Sequence, residues 1–173
     1  MSGAFSAESR FNFQAADMLP IGSLRPCPGW GEPRETRLTR DEQRMLLTLW
    51  SVFLSLIMGG NLLLADAWTK SLLTNPEVIA VDQDSTGNRP VLASDNTIEW
   101  LARPEFGDDS YIAVFNISDA RQTIHHEWKD LGLAANSYKV RDLWLRRNLH
   151  SATSLDVTLD PHASVLFQAS VSQ

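Results

Sequence analysis

The pattern of apolar residues changes near residue 84, and this change limits the folds open to the chain. Before that point, apolar stretches with helical spacing alternate with short apolar runs, and after it the sequence reads as short strands divided by turns. The first pattern is typical of a parallel α/β unit and the second of an antiparallel sandwich. We therefore predict an α/β region over residues 1–83 and an antiparallel β-sandwich over residues 84–173.

Size and composition indicate a globular protein and restrict its partners. The 173 residues are 43% hydrophobic and 21% charged, which suits a chain with a real core. The net charge of −6, without a cluster of Lys and Arg, argues against a nucleic-acid partner. The single cysteine, Cys27, excludes an internal disulfide and a thiolate metal cluster. The first residues lack the basic start and apolar run of a signal peptide, which predicts a cytoplasmic location for the chain as written.

Helix starts in the first region are marked by capping residues. Thr39 followed by Glu42 forms the pattern of a capping box. Asp66 is placed to cap a second helix that runs to Leu73. Asn75-Pro76 ends that helix, and we predict a short turn after it.

An uncharged run over residues 45–65 is long enough to cross a bilayer. Gly59-Gly60-Asn61 interrupts the run, and Thr48 and two serines dilute it. We interpret it as a buried helix, a turn and a buried strand, and predict no membrane partner. The alternative is a membrane-anchored protein, which requires the chain to partition with lipid.

At the boundary between the two regions, the segment with Asp82, Asp84 and Gly87 reads as a polar linker. The apolar run over residues 111–117 has no polar face, so we predict a central strand. Residues 155–159 alternate apolar and polar side chains, as a half-buried strand does. Asn116-Ile117-Ser118 matches the glycosylation acceptor pattern, but it lies inside a predicted strand and carries little weight.

Two groups of residues have the outline of a metal site. Asp82, Asp84 and Gly87 occupy the first, third and sixth positions of a calcium-loop pattern, but Ala93 stands where the loop needs a bidentate glutamate. His125-His126 is a pair of neighbours on a strand, whose side chains point to opposite faces and do not converge on one ion. We predict no metal and no other cofactor.

Asp17 is the acid whose position suggests a site. It lies directly before Met18 and residues 19–22, which read as the end of a short buried strand ahead of a loop. An α/β barrel places its site residues at such strand ends. A solvated or capping role for this acid remains the alternative.

Four stretches follow one another in a recognisable order: residues 16–22, 38–50, 58–62 and 72–83. The first looks like the D-M-L-x-x-G signature of the barrel-type α-galactosidases (melibiases). The other three resemble that family's next helix, last barrel strand and last helix. The resemblance implies that the first region is the last two strand–helix units of a (β/α)₈ barrel, followed by the family's C-terminal antiparallel domain.

The resemblance also implies a retaining glycosidase, in which two carboxyl groups lie about 5 Å apart. The family places its nucleophile in a K-Y-D motif and its acid/base in a W-R-x-x-x-D motif, and both precede the D-M-L signature. Neither motif occurs here: no tyrosine is followed by Asp, and no tryptophan directly precedes Arg. We therefore expect no catalytic residue in this chain. Only the family's pocket-lining, substrate-binding roles carry over, to Asp17 and Met18.

This interpretation predicts a fragment that is inactive alone. Its partners are α-galactoside sugars, once the pocket is completed, and a complementary barrel chain. Residues 13–15 depart from the family, which has a tryptophan and a first acid there, and Ser55 stands where the family often has Pro. Members of the family are often secreted or periplasmic.

The alternative function is a non-catalytic carbohydrate-binding or interaction module formed by the sandwich. Trp100, Trp128 and Trp144 would offer stacking surfaces to sugar rings. The competing interpretation places these three tryptophans in the core.

Overall fold

The computed structural model of the protein describes residues 19–24, 32–54, 65–134 and 136–172. The helices in these ranges are α1 (Arg40–Val52), α2 (Ala67–Leu73) and α3 (Pro76–Asp84), with a short 3-10 helix at Trp128–Leu131. The strands are β1 (Ser23–Leu24), β2 (Arg34–Glu35), β3 (Ser85–Ala93), β4 (Thr97–Pro104), β5 (Ser110–Asn116), β6 (Gln122–Glu127), β7 (Tyr138–Asp142), β8 (Arg147–Ala152), β9 (Ser154–Leu159) and β10 (Ser164–Val171).

Both predicted helix caps are confirmed. At the start of α1, the Thr39 hydroxyl accepts from the Glu42 N–H at 3.2 Å, and the Glu42 carboxylate accepts from the Thr39 N–H at 2.7 Å. At the start of α2, Asp66 Oδ1 accepts from the Thr69 N–H at 2.7 Å. These bonds satisfy backbone donors that have no partner within the helix.

The turn predicted after residues 75–76 is wrong, because a nine-residue helix, α3, starts there. Asn75 Oδ1 accepts from the Glu77 N–H at 3.1 Å, and Pro76 occupies the first helical turn. Proline at this position loses no helical hydrogen bond, so the dipeptide starts a helix as readily as it ends one.

The polar linker predicted for the segment with Asp82, Asp84 and Gly87 is also wrong. Residue 84 ends α3, and the rest of this segment begins β3, which pairs antiparallel with β4 through two register shifts. β3 is an edge strand of its sheet, so one side of its backbone needs no strand partner. Gly, Pro and polar residues are tolerated there, and this hides the strand from a search for apolar alternation.

The second region forms an antiparallel sandwich, as predicted. Six strands form one sheet in the order β3-β4-β5-β10-β7-β8, and β6 pairs with β9 in a two-stranded sheet. Apolar side chains from both sheets meet in one cluster, with Ile112 and Phe167 from the large sheet and Ile124 and Leu155 from the small one. This cluster is the core of the sandwich.

β5 is buried along its whole length, which confirms the prediction of a central strand. Its alternate side chains enter two different clusters. Ile112 and Val114 belong to the sandwich core, whereas Ala113 and Phe115 join Val78 and other side chains of the helices on the opposite face. The strand has no polar face because both faces of the sheet are covered.

α1 connects the sheet to the start of the chain. Val52 joins the cluster beneath the sheet, whereas Leu47 packs with Leu19, Ile21 and Leu72 in a separate cluster. None of the helices in the described ranges is long and apolar enough to cross a membrane. α1 confirms the helix predicted at the start of the uncharged run, and the turn and strand predicted after it fall mainly in residues 55–64, outside the described ranges.

Candidate functional site

The two predicted site residues, Asp17 and Met18, lie outside the described residues. The structure begins with the residues that follow them directly. Leu19 is fully buried and Ile21 is 3% exposed, both against α1 and α2. The segment that leads out of the predicted pocket is therefore anchored in an apolar cluster.

Gly22 fixes the path of this segment. Its φ of 66° is a conformation that glycine adopts without strain. A Cβ atom at this position would lie 2.8 Å from Thr69 Cγ2, so a side chain cannot be added unless Thr69 of α2 moves. The glycine of the D-M-L-x-x-G pattern thus lets the chain pass closely over α2.

Thr36 holds the same segment from the other side. Its hydroxyl donates to the Pro20 carbonyl at 2.6 Å, and its N–H donates to the Gly22 carbonyl at 2.8 Å. The short β1–β2 pairing follows from this contact. Thr36 was not identified from the sequence, because a threonine in a polar loop carries no signal of the backbone it will bind.

A groove of about 580 Å³ borders the anchored segment. Its described lining residues are Pro20, Leu24, Glu32, Arg34, Thr36, Arg37 and Leu38. Glu32 is the single acid among them, whereas a retaining glycosidase needs two carboxyl groups about 5 Å apart. The described lining can donate hydrogen bonds to a polar ligand, but it does not contain the carboxylate pair for glycoside hydrolysis.

Buried polar atoms without a partner concentrate on α1 and α2. Within the described ranges, Gln43 Oε1, Arg44 Nε and the indole N–H groups of Trp50 and Trp68 are buried and make no hydrogen bond. The guanidinium groups of Arg40 and Arg44 stack over Trp68, 5.1 and 5.2 Å from the ring centroid. Unpaired buried polar groups are rare in folded proteins, and each costs free energy. Three donors and one acceptor on these two helices are therefore without a hydrogen-bond partner among the described residues.

The two neighbouring histidines point to different partners. His125 Nδ1 lies 2.7 Å from Asp156 Oδ1, and His126 Nε2 lies 3.3 Å from the buried Glu99 carboxylate. The hydrogen bond with Asp156 raises the pKa of His125. Hydrogen bonds from Ser154 and then from His125 lower the pKa of Asp156. In the described part of the chain, no group of three His, Cys, Asp or Glu side chains could hold a metal ion.

The glycosylation acceptor pattern is occupied by a structural asparagine. Asn116 is fully buried, and its Nδ2 donates to the Ala120 and Asp160 carbonyls at 2.8 Å each. Its Oδ1 accepts from the N–H and hydroxyl of Ser118, at 3.0 and 2.8 Å. The side chain joins two turns at the end of the sandwich and is not accessible to modification.

Of the three tryptophans weighed as sugar platforms, Trp128 is buried, whereas Trp100 and Trp144 are partly buried and pack against the cluster beneath the sheet. Trp128 is 2% exposed, and its indole donates to the Ala152 carbonyl at 2.9 Å. The Trp100 ring contacts Phe53 with centroids 4.5 Å apart, and the Trp144 indole donates to the Thr48 hydroxyl at 2.9 Å. The structure places Trp128 in the core, and it gives Trp100 and Trp144 packing contacts at the edge of the core.

Comparison with known proteins accords with this architecture. Residues 95–169 match the family described as the α-galactosidase C-terminal β-sandwich domain. The α-galactosidase of Oryza sativa is 28% identical over 78% of this chain, and α-galactosidase A of Aspergillus niger is 30% identical over 82% of it. The chain spans only 34% and 27% of those two proteins.

A solved structure extends the similarity to about nine-tenths of the chain. A GH27 β-L-arabinopyranosidase of Geobacillus stearothermophilus, in complex with arabinose, is 41% identical with a TM-score of 0.83. The similarity covers 91% of this chain and 37% of that enzyme. Residues 95–169 therefore match the α-galactosidase C-terminal β-sandwich family, and the chain corresponds in sequence and fold to the C-terminal portion of melibiase-type glycosidases.

Proposed function

We propose that this chain is the C-terminal part of a retaining glycosidase that acts on α-galactosides or on β-L-arabinopyranosides. Asp17 and Met18 contribute to the sugar pocket, and the nucleophile and acid/base come from a complementary barrel segment. The observation that carries the proposal is the 41% identity to the Geobacillus stearothermophilus enzyme over 91% of this chain.

The two sugar classes are close in shape. β-L-arabinopyranose has the ring configuration of α-D-galactopyranose and lacks only the hydroxymethyl group at C5. A pocket for one sugar therefore needs few changes to accept the other. When one of two substrates lacks a carbon group that fills an apolar subsite, their transition-state binding free energies differ by about 1–3 kcal/mol. The relative rates of hydrolysis of aryl α-galactoside and aryl β-L-arabinopyranoside decide which of the two sugars is the better substrate.

The chain by itself is expected to be inactive. The K-Y-D and W-R-x-x-x-D motifs do not occur in its sequence, and the groove beside the anchored segment has one acid, Glu32, among its described lining residues. Hydrolysis with retention needs a nucleophile and a separate proton donor. Both groups must come from outside these residues.

The unpaired donors of α1 and α2 support a complementary segment. The Trp50 and Trp68 indoles lie on the helices next to the anchored segment, where further strand–helix units of a barrel would pack. Acceptors on such units would satisfy these donors. The alternative, a sandwich that binds carbohydrate through its tryptophans, has less support because Trp128 is buried and because Trp100 and Trp144 are partly buried against apolar clusters.

A chimera tests the proposal. This chain replaces the matching C-terminal portion of the Geobacillus stearothermophilus enzyme, and hydrolysis of aryl β-L-arabinopyranoside and aryl α-galactoside is measured. We expect turnover of at least one substrate. Asp17→Asn should lower kcat/KM roughly 10- to 100-fold, the loss expected for a hydrogen bond to a charged group.

Asp95→Asn is the matched control, because Asp95 is exposed in the β3–β4 turn and should leave the rate unchanged. A folded chimera without turnover, or equal rates for the Asp17 and Asp95 variants, would contradict the proposal.

A further inference from the structure

Three neighbouring strands place polar side chains on one open face of the large sheet. On β10, Phe167 and Ala169 belong to the sandwich core, so Gln168 and Ser170 point to the opposite face. In the sheet register, Gln168 lies opposite Arg141 of β7. Alternation along the strands therefore produces a polar surface beside α3.

The register defines two rows of side chains across these strands. One row runs from Gln168 through Arg141 to Asn148, and the next pairs Ser170 with Lys139. Together with His150, these side chains line a groove of about 540 Å³. That volume lies within the range of small-ligand sites, about 300–1,000 Å³.

The groove presents more donors than acceptors. Arg141 directs Nε and Nη2 to the Glu77 carboxylate at 2.8 and 2.7 Å, and Nη1 to Asn148 Oδ1 at 2.7 Å. The Asn148 acceptor is thus occupied, and its NH₂ group remains to donate. The side chains of Lys139 and His150 are exposed, and neither side chain forms a hydrogen bond or an ion pair with another described residue.

The acids that border the groove are already engaged. Glu77 binds Arg141 and lies 3.8 Å from Arg146, so two guanidinium groups face one carboxylate. Asp109 accepts from the Gln168 amide at 2.6 Å. The Lys139 ammonium is the charge left without a counter-ion among the described lining residues.

We propose that this groove binds an anionic saccharide, specifically a uronic-acid-bearing oligosaccharide. The carboxylate would pair with Lys139, and ring hydroxyls would accept from Asn148 and bond to Gln168 and Ser170. Among its described lining residues the groove has no aromatic platform, which a neutral sugar would use for stacking. The Lys139 ammonium, which has no counter-ion among the described lining residues, favours a carboxylate instead. The choice of a saccharide rests on the proposed function, whereas the preference for an anion rests on the groove alone.

Calorimetric titration of the full chain with trigalacturonate tests this inference, and neutral galactotriose and inorganic phosphate serve as comparison ligands. We expect trigalacturonate to bind at least tenfold more tightly than either, and to weaken as salt rises from 20 to about 200 mM, as an ionic contact should. Lys139→Gln should raise the Kd about 5- to 20-fold, and Asn148→Ala about threefold.

Lys129→Gln is the matched control, because Lys129 is an exposed lysine of the 3-10 helix and does not line the groove. Equal affinities of the Lys139 and Lys129 variants, or equally tight binding of galactotriose, would overturn the proposal. Equally tight binding of phosphate would overturn its saccharide part. This titration is independent of the chimera assay, so an inactive chimera would leave the groove's preference for an anion intact.

Discussion

The sandwich and the helices that precede it differ in how completely their polar groups are paired. Five buried side-chain polar atoms lack a partner in the described ranges, and four of them belong to α1 and α2. In the sandwich, Asn116 alone makes five hydrogen bonds to neighbouring turns. Since an unpaired buried group costs free energy, the helices have the features of a surface that another segment covers.

The two regions are nevertheless joined by a polar contact. Thr48 on α1 is fully buried, and its hydroxyl accepts from the Trp144 indole at 2.9 Å and from the Ser164 hydroxyl at 3.0 Å. It donates to the Arg44 carbonyl at 2.8 Å. α1 is therefore attached to the sandwich on one side and unpaired on the other.

The largest expected effect tests whether the sandwich core carries the stability of the protein. Ile112→Ala removes a fully buried side chain of β5 and should lower the free energy of unfolding by about 2–5 kcal/mol in urea. Ile117→Ala alters a side chain that is 38% exposed and should cost less than half as much. Equal losses for the two variants would contradict a core centred on β5.

The next test perturbs the helical region alone. Gly22→Ala adds a Cβ atom 2.8 Å from Thr69 Cγ2 at a φ of 66°, and should destabilise α2 by roughly 2–4 kcal/mol. Gly132→Ala is the matched control, since its φ is 80° and no atom lies within 4 Å of the added Cβ.

Amide hydrogen exchange separates the two glycine variants. Gly22→Ala should accelerate exchange in α2 and leave β5 protected. Restoration of slow exchange by Thr69→Ser in the same chain would identify the methyl group as the obstacle. Uniform acceleration throughout the sandwich would show that the two regions unfold as one.

A smaller effect is expected at the contact between the regions. Thr48→Val keeps the shape of the side chain and leaves the Trp144 indole and the Ser164 hydroxyl without their acceptor. The free energy of unfolding measured in urea should fall by about 1–3 kcal/mol. Thr158→Val, at an exposed position of β9, is the control. Its hydroxyl lies 3.2 Å from the exposed Thr123 hydroxyl, where water can replace the bond, so this variant should lie within about 0.5 kcal/mol of the wild type. If the two variants were equally stable, α1 would not depend on this contact.

The smallest effect concerns pH. The hydrogen bond with Asp156 raises the pKa of His125. The stability that protonated His125 contributes to the folded state is therefore present below about pH 6.5, and it is lost as the pH rises through the pKa of His125 in the folded protein. The pKa of Asp156 is lowered. The stability that its carboxylate contributes to the folded state is therefore present above about pH 4, and it is lost as the pH falls through the pKa of Asp156 in the folded protein. Both contributions are present between about pH 4 and 6.5.

NMR titration checks this pair. Asp156→Asn should lower the pKa of His125 towards its ordinary value, whereas Asp95→Asn, in a distant turn, should leave it unchanged. An unshifted His125 in the Asp156 variant would contradict the assigned cause.

Sequence patterns predicted the elements whose signals are local. The capping side chains of Thr39 and Asp66 act within one helical turn, and the alternation in β9 is visible because one of its faces is exposed. β3 was missed because an edge strand need not be apolar, and α3 because Asn75-Pro76 suits a helix start as well as an end.

Contacts across long sequence separations could not be predicted. The pairing of Glu99 with His126 joins strands from the two sheets of the sandwich, and Thr36 meets Pro20 only when the loop closes. The polar groove on β7, β8 and β10 arises from strand order, because β10 is inserted between β5 and β7. Asp17 and Met18 remain predictions from the family resemblance.

The most direct test of the central claim is hydrolysis of aryl α-galactoside and aryl β-L-arabinopyranoside by the purified 173-residue chain, with folding checked by circular dichroism. The account predicts a folded sandwich and no turnover of either substrate above the uncatalysed rate. Turnover that is abolished by Asp17→Ala but not by Asp95→Ala would contradict it, because the chain would then contain a complete active site of its own.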